Sequence, residues 1–260
     1  MLQRFFQKLS FKTYRDEVKL NQVKMIEEIK LVHQQVFLNN PVLIVQNVKM
    51  YLPLFYVDHI QKGIYQSRNF YEIETLEFLR LHYKSFDHVV DIGTNIGNHM
   101  LYYCSNLSAK SVICFEPNTY NRSTLQKNIE LNYLEKLVTV YPFAIGEIAG
   151  KGVQTNFSFG NTGMNRVDKV SEETTSSTDN IDIRSLDSFQ LQAVDFIKID
   201  VEGFEADVLK GSAATIQRCK PLVMIEVFET NRREVDALMQ AYGYRCFITI
   251  EDYNSIYVPL

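Results

Sequence analysis

The chain lacks several features that would identify its class at once. It has no uninterrupted apolar run of about 18 residues and no recognisable signal peptide, which argues against a membrane-spanning helix and against secretion. Its four cysteines are far apart and form neither a CxxC pair nor a Cys/His metal-ligand spacing. The net charge of −4 provides no general basic field for nucleic acid. We therefore expect a cytoplasmic protein that binds no nucleic acid and keeps its cysteines reduced.

The composition supports a packed core. With 46% hydrophobic residues over 260 positions, the chain is long enough for one α/β domain and an N-terminal extension. We expect the extension to span residues 1–66, as a helix followed by a strand pair interrupted near Pro53, and the main domain to span residues 67–260. The N-terminal helix is predicted to pack on the main domain or on a second subunit, which would give a homodimer. Residues 1–15 are basic and amphipathic, so contact with a membrane surface is a less favoured alternative.

The chain is organised around the segment from Val89 to Met100. The β-branched run from Val89 to Ile92 is typical of a central parallel strand that is covered on both faces. Gly93 and Gly97 then bracket a turn that leads into a helix with free backbone N–H groups at its start. This pattern favours a nucleotide-type ligand over the turn, while an ordinary strand-to-helix connection is the alternative.

A second acidic position supports this interpretation. The apolar strand over residues 111–115 ends at Glu116 and Pro117, and Glu116 lies 19 positions past Gly97. That is close to the spacing at which the carboxylate of a second strand meets a ribose. A carboxylate can accept hydrogen bonds from both ribose hydroxyls, and Pro117 ends the strand so that Glu116 lies at its carboxyl edge.

Three further segments give predictions about the ligand site and the fold. Phe143 and Ala144 follow the strand over residues 137–141, where an adenine could lodge. Glu72, at the start of a predicted helix, could reach the ligand site or could simply stabilise the helix dipole. The glycines and polar residues over 147–185 predict a β-hairpin insertion and a mobile loop.

The strand over residues 195–201 contains a lysine that needs a partner. Lys198 lies in an otherwise apolar strand, and burying an unpaired charge is expensive. Asp200 and Glu202 follow at the carboxyl end, where open α/β sheets bind ligands, so they are candidates for site chemistry. Glu226 ends the next strand, and we expect it to pair with Lys198 across the two strands.

A metal site is the less favoured interpretation of the same residues. Asp200 and Glu226 end neighbouring strands, and their oxygens could hold Mg²⁺ and polarise an acceptor. No histidine accompanies them in the sequence pattern, so we expect no metal.

Taken together, these residues resemble the FkbM family of S-adenosylmethionine-dependent methyltransferases. The resemblance runs from about Tyr71 to Phe247, and its most specific part is the segment 196–205, Phe-Ile-Lys-Ile-Asp-Val-Glu-Gly-Phe-Glu. The other matching pieces are Asp91 to Gly97, Phe115 to Asn118, Asn128 with Asn132, Ala144 to Gly146, Leu186 with Asp187, and Val208 to Gly211. The resemblance implies a class I methyltransferase fold, a Rossmann-like seven-stranded and mostly parallel sheet with a final antiparallel strand and helices on both faces.

The resemblance also implies roles for individual residues. Glu116, with Pro117 beside it, would hold the ribose of the cofactor, and Phe143 and Ala144 would border its adenine. The residues expected around the methionine part are Asp91, Gly93, Thr94, Asn95, Gly97 and Asn98, with Glu72 also in reach.

The function implied is O-methyl transfer to a hydroxyl of a sugar or glycan. Asp200 or Glu202 would assist deprotonation of the acceptor, and Lys198 would orient one of them. Two alternatives stay open, a noncatalytic interaction module and an NAD-dependent oxidoreductase. The oxidoreductase would prefer glycine at the position of Asn95, and no Tyr/Lys catalytic pair stands out.

Overall fold

The computed structural model describes residues 35–155, 160, 166–169 and 180–260, together with residues 19, 24 and 25. The chain divides into two compact units, residues 1–42 and residues 43–260. The predicted membrane contact of residues 1–15 and most of the predicted N-terminal helix lie outside the described residues, as does most of the polar loop before Asn180. The domain boundary at residue 66 and the homodimer stay predictions. In the part of the chain that is described, no helix is long and apolar enough to cross a membrane.

The strands within the described residues form three sheets. A hairpin of β1 (Val42–Val45) and β2 (Val48–Tyr51) is followed in chain order by β3 (His88–Ile92), β4 (Ser111–Phe115), β5 (Val138–Tyr141), β6 (Ala144–Ile145), β7 (Gly150–Thr155), β8 (Arg166–Lys169), β9 (Asn180–Arg184), β10 (Phe196–Ile199), β11 (Leu222–Glu226), β12 (Tyr244–Ile250) and β13 (Asn254–Pro259). The helices are α1 (His59–Ser67), α2 (Ile73–His82), α3 (Asn98–Asn106), α4 (Thr119–Leu131), a 3-10 helix (Leu186–Phe189), α5 (Glu205–Gly211), α6 (Ala213–Cys219) and α7 (Glu229–Ala241).

The central sheet has seven strands in the order β12-β13-β11-β10-β3-β4-β5. The pairs from β11 to β5 are all parallel, and β13 runs antiparallel between β11 and β12. The predicted fold class, a mostly parallel seven-stranded sheet with a final antiparallel strand, is confirmed. From β3 the chain continues to β4 and β5 on one side of the sheet, whereas from β10 it continues to β11 on the other side. The crevice outside the carboxyl ends of β3 and β10 is therefore the expected ligand position.

Helices cover both faces of this sheet. Ile197 and Ile199 of β10 are buried in one cluster with Val208 of α5. Their neighbour Phe196 faces the other way and packs edge-on against Tyr103 of α3, with ring centroids 5.3 Å apart. The alternation predicted for this strand is therefore present, and the even-numbered positions, which include Lys198, face the α3 side.

A second sheet, in the order β6-β9-β7-β8, contains the predicted insertion. β7 and β8 are antiparallel, which confirms a hairpin after residue 147. β9 then adds a strand that the sequence did not predict, pairing with β7 and with β6.

One local prediction differs from the structure, and two further features were not predicted. The strand pair turns at Gln46 and Asn47, both with positive φ, rather than near Pro53. A two-residue turn with positive φ at both positions matches the twist of the two strands that it connects. The segment after β10 forms two helices, α5 and α6, that meet at Ser212, and α1 has no counterpart in the sequence analysis. The first of these two helices ends on Gly211, where a side chain would lie 2.0 Å from the Gly146 carbonyl oxygen, so the backbones touch there.

Candidate active site

The turn after β3 requires both of its glycines. Gly93 has a φ of +77°, and a Cβ atom on it would lie 1.7 Å from the carbonyl oxygen of Asp200. Gly97 has a φ of +88°, and a Cβ there would lie 2.6 Å from Leu125. Only glycine combines these conformations with such close neighbours, so the turn is packed tightly between β10 and α4.

Glu116 holds the tip of this turn from the end of β4. Its Oε2 accepts a hydrogen bond of 2.8 Å from the backbone N–H of Asn95, and its Oε1 accepts one of 2.8 Å from the N–H of Asn118. The residue is only 5% exposed, and burial raises the pKa of Glu116 to about 7 although both backbone bonds oppose this. Pro117 directly follows it at the strand end. Each carboxylate oxygen keeps a further acceptor position, so Glu116 can still receive two hydroxyl groups.

The hydroxyl of Thr94 closes the other side of the turn. Its Oγ1 donates to the carbonyl oxygen of Asp91 at 2.8 Å, while the N–H groups of Gly93 and Thr94 both donate to the Phe115 carbonyl oxygen at 3.0 and 3.3 Å. Asn95, next in the turn, has a φ of 53° and a buried side-chain oxygen without a hydrogen-bond partner among the described residues. This oxygen is available to a ligand.

Lys198 lies beneath the turn and does not pair with Glu226, so that prediction is wrong. Its ammonium group donates a 2.7 Å hydrogen bond to the Gly93 carbonyl oxygen and lies 3.0 Å from Asp200 Oδ2 and 3.5 Å from Asp91 Oδ1. Burial opposes the charge, but Asp200 and Asp91 together raise the pKa of Lys198. The strand register explains the result, because Lys198 is directly opposite Asp91 on β3.

Glu226 meets Asp200 instead. Ile199 pairs with Ile225 in the parallel register, so the residues that follow, Asp200 and Glu226, emerge side by side. Burial, and then the charge and hydrogen bond of Asp200, raise the pKa of Glu226, so this carboxyl group keeps its proton and donates it to Asp200. Within the described ranges, no group of three or more His, Cys, Asp or Glu side chains is arranged to hold a metal ion.

Glu202, like Glu116, has a pKa in the range suited to proton transfer. It has a φ of 52° and is half-buried, and burial together with the charges of Asp200 and Glu205 raises the pKa of Glu202 to about 7. The loop is held from behind by Glu205, which accepts from the N–H of Gly203 at 2.6 Å and from the Asn231 side chain at 3.0 Å. Glu202 therefore projects from a fixed backbone.

Glu72 reaches the site from the start of α2. Its carboxylate lies 3.0 Å from His99 Nε2 and accepts a 3.2 Å hydrogen bond from Asn254. Burial opposes ionisation, but the bond and charge of His99 lower the pKa of Glu72. The side-chain amide of Asn98 is engaged within the protein, since it accepts a hydrogen bond from the N–H of Tyr71 and donates one to the Tyr71 carbonyl oxygen, both at 3.0 Å. Asn98 thus fixes the segment that presents Glu72.

Asn128 of α4 ties the N-terminal hairpin to the same turn. Its side chain accepts a 2.6 Å hydrogen bond from the N–H of Tyr51 in β2 and donates one of 2.8 Å to the carbonyl oxygen of Ile96. Asn132, one helical turn later, accepts from the N–H of Lys49 at 2.9 Å and donates to its carbonyl oxygen at 2.7 Å. The two asparagine side chains thus bond to the backbone of β2 and hold this strand beside the site.

Many of these side chains line a single cavity of about 450 Å³. The predicted site residues that line it are Glu72, Thr94, Asn95, Asn98, Lys198, Asp200, Glu202 and Glu226. The other predicted residues, Asp91, Gly93, Gly97, Glu116, Pro117, Phe143 and Ala144, are not part of its wall. Phe143 instead has the Arg184 guanidinium 3.9 Å above its ring, and Ala144 is buried in β6.

Sequence reasoning missed another part of the wall, formed by His59, Tyr71, His99, Phe228 and Tyr253. Apart from His99, which lies in the segment from Val89 to Met100, they come from parts of the chain that no local motif marks.

Three non-glycine residues of the wall share an uncommon backbone conformation. Glu72, Asn95 and Glu202 have φ values of 55°, 53° and 52°. Such conformations cost free energy and tend to cluster where a protein binds a ligand. Their convergence on one cavity favours this cavity as the functional site.

Comparison with known proteins shows that the sequence is similar to those of methyltransferases. The family model described as "Methyltransferase FkbM domain" matches residues 91–246. "Methyltransferase 1" of Beauveria bassiana (strain ARSEF 2860) is 28% identical over 144 residues, covering 47% of this chain and 57% of that protein. "Hexuronic acid methyltransferase AglP" of Haloferax volcanii (strain DS2 and equivalents) is 30% identical over 138 residues, covering 53% of this chain and 54% of that protein. The chain therefore spans little more than half the length of these relatives.

A solved structure is also similar. The crystal structure of a methyltransferase FkbM from Methylobacillus flagellatus KT superposes with a TM-score of 0.45 at 21% identity, covering 78% of this chain and 47% of that one.

Proposed function

The chain belongs to the FkbM family of methyltransferases, and from this premise we propose that it transfers a methyl group from S-adenosylmethionine to a hydroxyl of a sugar or glycan. The observation that carries the proposal is the buried carboxylate of Glu116, which joins the end of β4 to the backbone of Asn95 in the glycine turn. A curated relative named for hexuronic acid supports a sugar as the class of acceptor.

The residues present fit the cofactor. Glu116 would hold the ribose hydroxyls, and the free Asn95 side-chain oxygen would accept from the ammonium group of the methionine part. The carboxyl groups of Glu72, Asp200 and Glu202 line the adjoining cavity, and their negative charge suits a sulfonium cation. Phe143 and Ala144 remain the proposed border of the adenine.

When bound, S-adenosylmethionine supplies an electrophilic methyl group, so the chain must position the acceptor hydroxyl and take its proton. We assign the proton to Glu202, because its pKa of about 7 lets the carboxylate form accept a proton near neutral pH. Asp200 is less suited, since its carboxylate is already engaged by Lys198 and by the proton of Glu226. Lys198 is a positioning residue that fixes both Asp200 and the Gly93 carbonyl.

A transfer assay tests the proposal. The purified protein would be incubated with S-adenosylmethionine and a panel of nucleotide sugars and surface-glycan fragments, and products would be read by mass spectrometry. We expect one added methyl group on a sugar hydroxyl and its loss in the Glu202→Gln variant. Methylation of a nitrogen or carbon atom instead, with no O-methyl product across the panel, would contradict the assignment.

A further inference from the structure

One wall of the cavity is aromatic. Phe228 lies two residues past the end of β11 and is 48% exposed. It lies beside Tyr253, with ring centroids 6.3 Å apart and planes inclined by 33°, and both residues line the cavity. Tyr71 contributes a third ring and meets the His59 ring edge-on at 5.9 Å. An exposed phenylalanine at the edge of a cavity offers a flat surface to whatever enters it. The faces of such rings carry negative charge density and attract weakly positive C–H groups.

The charged groups of the same cavity are unevenly distributed. The side-chain nitrogens of Lys198 and His99 each lie 3.0 Å from a carboxylate, Asp200 for Lys198 and Glu72 for His99. Glu202 adds a further carboxyl group to the lining. Apart from the imidazole of His59, whose ring packs edge-on against Tyr71, the described lining residues offer the carboxylate of a bound sugar no nitrogen base that is not already beside a carboxylate. That carboxylate would face like charges in a partly buried setting, where repulsion is weakly screened.

We propose that the rings of Tyr71, Phe228 and Tyr253 form the acceptor subsite and that this subsite selects neutral sugars and rejects sugars that carry a carboxylate. The inference rests on the proposed function and specifies its substrate class, and in this respect the chain would differ from the relative named for hexuronic acid. The C–H face of a neutral pyranose stacks on the rings, and its hydroxyl groups meet the carboxyl groups as hydrogen-bond donors. A uronic acid has the same ring, but its carboxylate would be placed among carboxylates. Rejection of this kind is how a site achieves specificity without a new attractive contact.

Matched sugar pairs test this subsite. Binding of methyl glucoside against methyl glucuronide, and of methyl galactoside against methyl galacturonide, would be measured by saturation-transfer NMR and titration on the full chain with S-adenosylhomocysteine present. We expect the neutral member of at least one pair to bind about tenfold more tightly or better than its uronate. The Phe228→Ala substitution should weaken the binding of the neutral sugar by a similar factor. Phe247→Ala is the matched control, because Phe247 is 47% exposed but lies on β12, outside the cavity wall.

The outcomes separate this inference from the proposed function. Equal or tighter binding of the uronates would overturn the inference, as would binding of no sugar by a protein that binds S-adenosylhomocysteine, and neither result affects the cofactor site. Failure to bind S-adenosylhomocysteine would count against the proposed function, while sugar binding measured without it would still decide the inference.

Discussion

The Lys198 ammonium group donates a 2.7 Å hydrogen bond to the carbonyl oxygen of Gly93, and this bond joins the centre of β10 to the turn that follows β3. The same nitrogen lies 3.0 Å from Asp200 Oδ2, so one buried cation links the turn proposed for the cofactor to the acidic corner proposed for the acceptor. Its side chain is only 5% exposed, which makes the charge costly to leave without partners.

Replacing Lys198 should therefore destabilise the fold. In Lys198→Met, the buried carboxyl group of Asp91 and the partly buried one of Asp200 lose their shared cation, and we expect the free energy of unfolding at pH 7 to fall by about 3–5 kcal/mol. Urea denaturation measures the change. Lys110→Met is the control, since its ion pair with Asp87 has side chains 70% and 42% exposed and should contribute about 1 kcal/mol or less. Equal losses in the two variants would contradict the role of Lys198.

Gly93→Ala tests how closely the turn approaches β10. The added Cβ would lie 1.7 Å from the Asp200 carbonyl oxygen at a φ of +77°, so the backbone must shift or the fold must fail. We expect a loss of about 4 kcal/mol or more in unfolding free energy, or no folded protein. Gly150→Ala, whose Cβ meets nothing within 4 Å, should change it by about 0.5 kcal/mol or less. A Gly93→Ala protein as stable as this control would show that the approach is looser.

Much of the central sheet could be predicted from the sequence. The bounds predicted for β4 agree with Ser111–Phe115, and the turn between Gly93 and Gly97 lies where the pattern placed it. Buried parallel strands are continuous apolar runs, and glycines mark their ends, so the signal is local. The acidic corner after β10 was located for the same reason.

Contacts that depend on register or on distant segments could not be predicted. Glu226 was assigned to Lys198, but the pairing of Ile199 with Ile225 brings it to Asp200, and a sequence does not show which strands are neighbours. α1 was missed because it is short and buries little apolar surface, with only Gln61 and Ile64 of its nine residues buried. Tyr253 reaches the cavity only because β13 inserts beside β11.

Glu116→Gln should weaken the cofactor site. The amide keeps the shape of the side chain but cannot accept on both sides, so the N–H of Asn95 or of Asn118 loses its partner. We expect the affinity for S-adenosylhomocysteine, measured by calorimetry, to fall about tenfold or more, as for a lost hydrogen bond to a charged group. Glu130→Gln, on the exposed side of α4, should leave the affinity unchanged. An unaltered affinity in Glu116→Gln would mean that β4 does not contribute the ribose contact.

The rate of methyl transfer should depend on the ionisation of Glu202. Its pKa of about 7 means that the group is protonated at lower pH and cannot accept a proton, so kcat should rise with pH through about 7 and then level off. Glu202→Gln should lower kcat by about two to four orders of magnitude and remove this rise, with little change in the affinity for S-adenosylhomocysteine. A variant that keeps the wild-type pH profile would exclude Glu202 as the base.

We propose that the turn from Asp91 to Gly97 and the end of β4 form an S-adenosylmethionine site. Calorimetric titration of the wild-type chain with S-adenosylhomocysteine, and separately with NAD, tests it most directly. We predict saturable one-to-one binding of S-adenosylhomocysteine and no measurable binding of NAD. Binding of NAD without binding of S-adenosylhomocysteine would contradict the account.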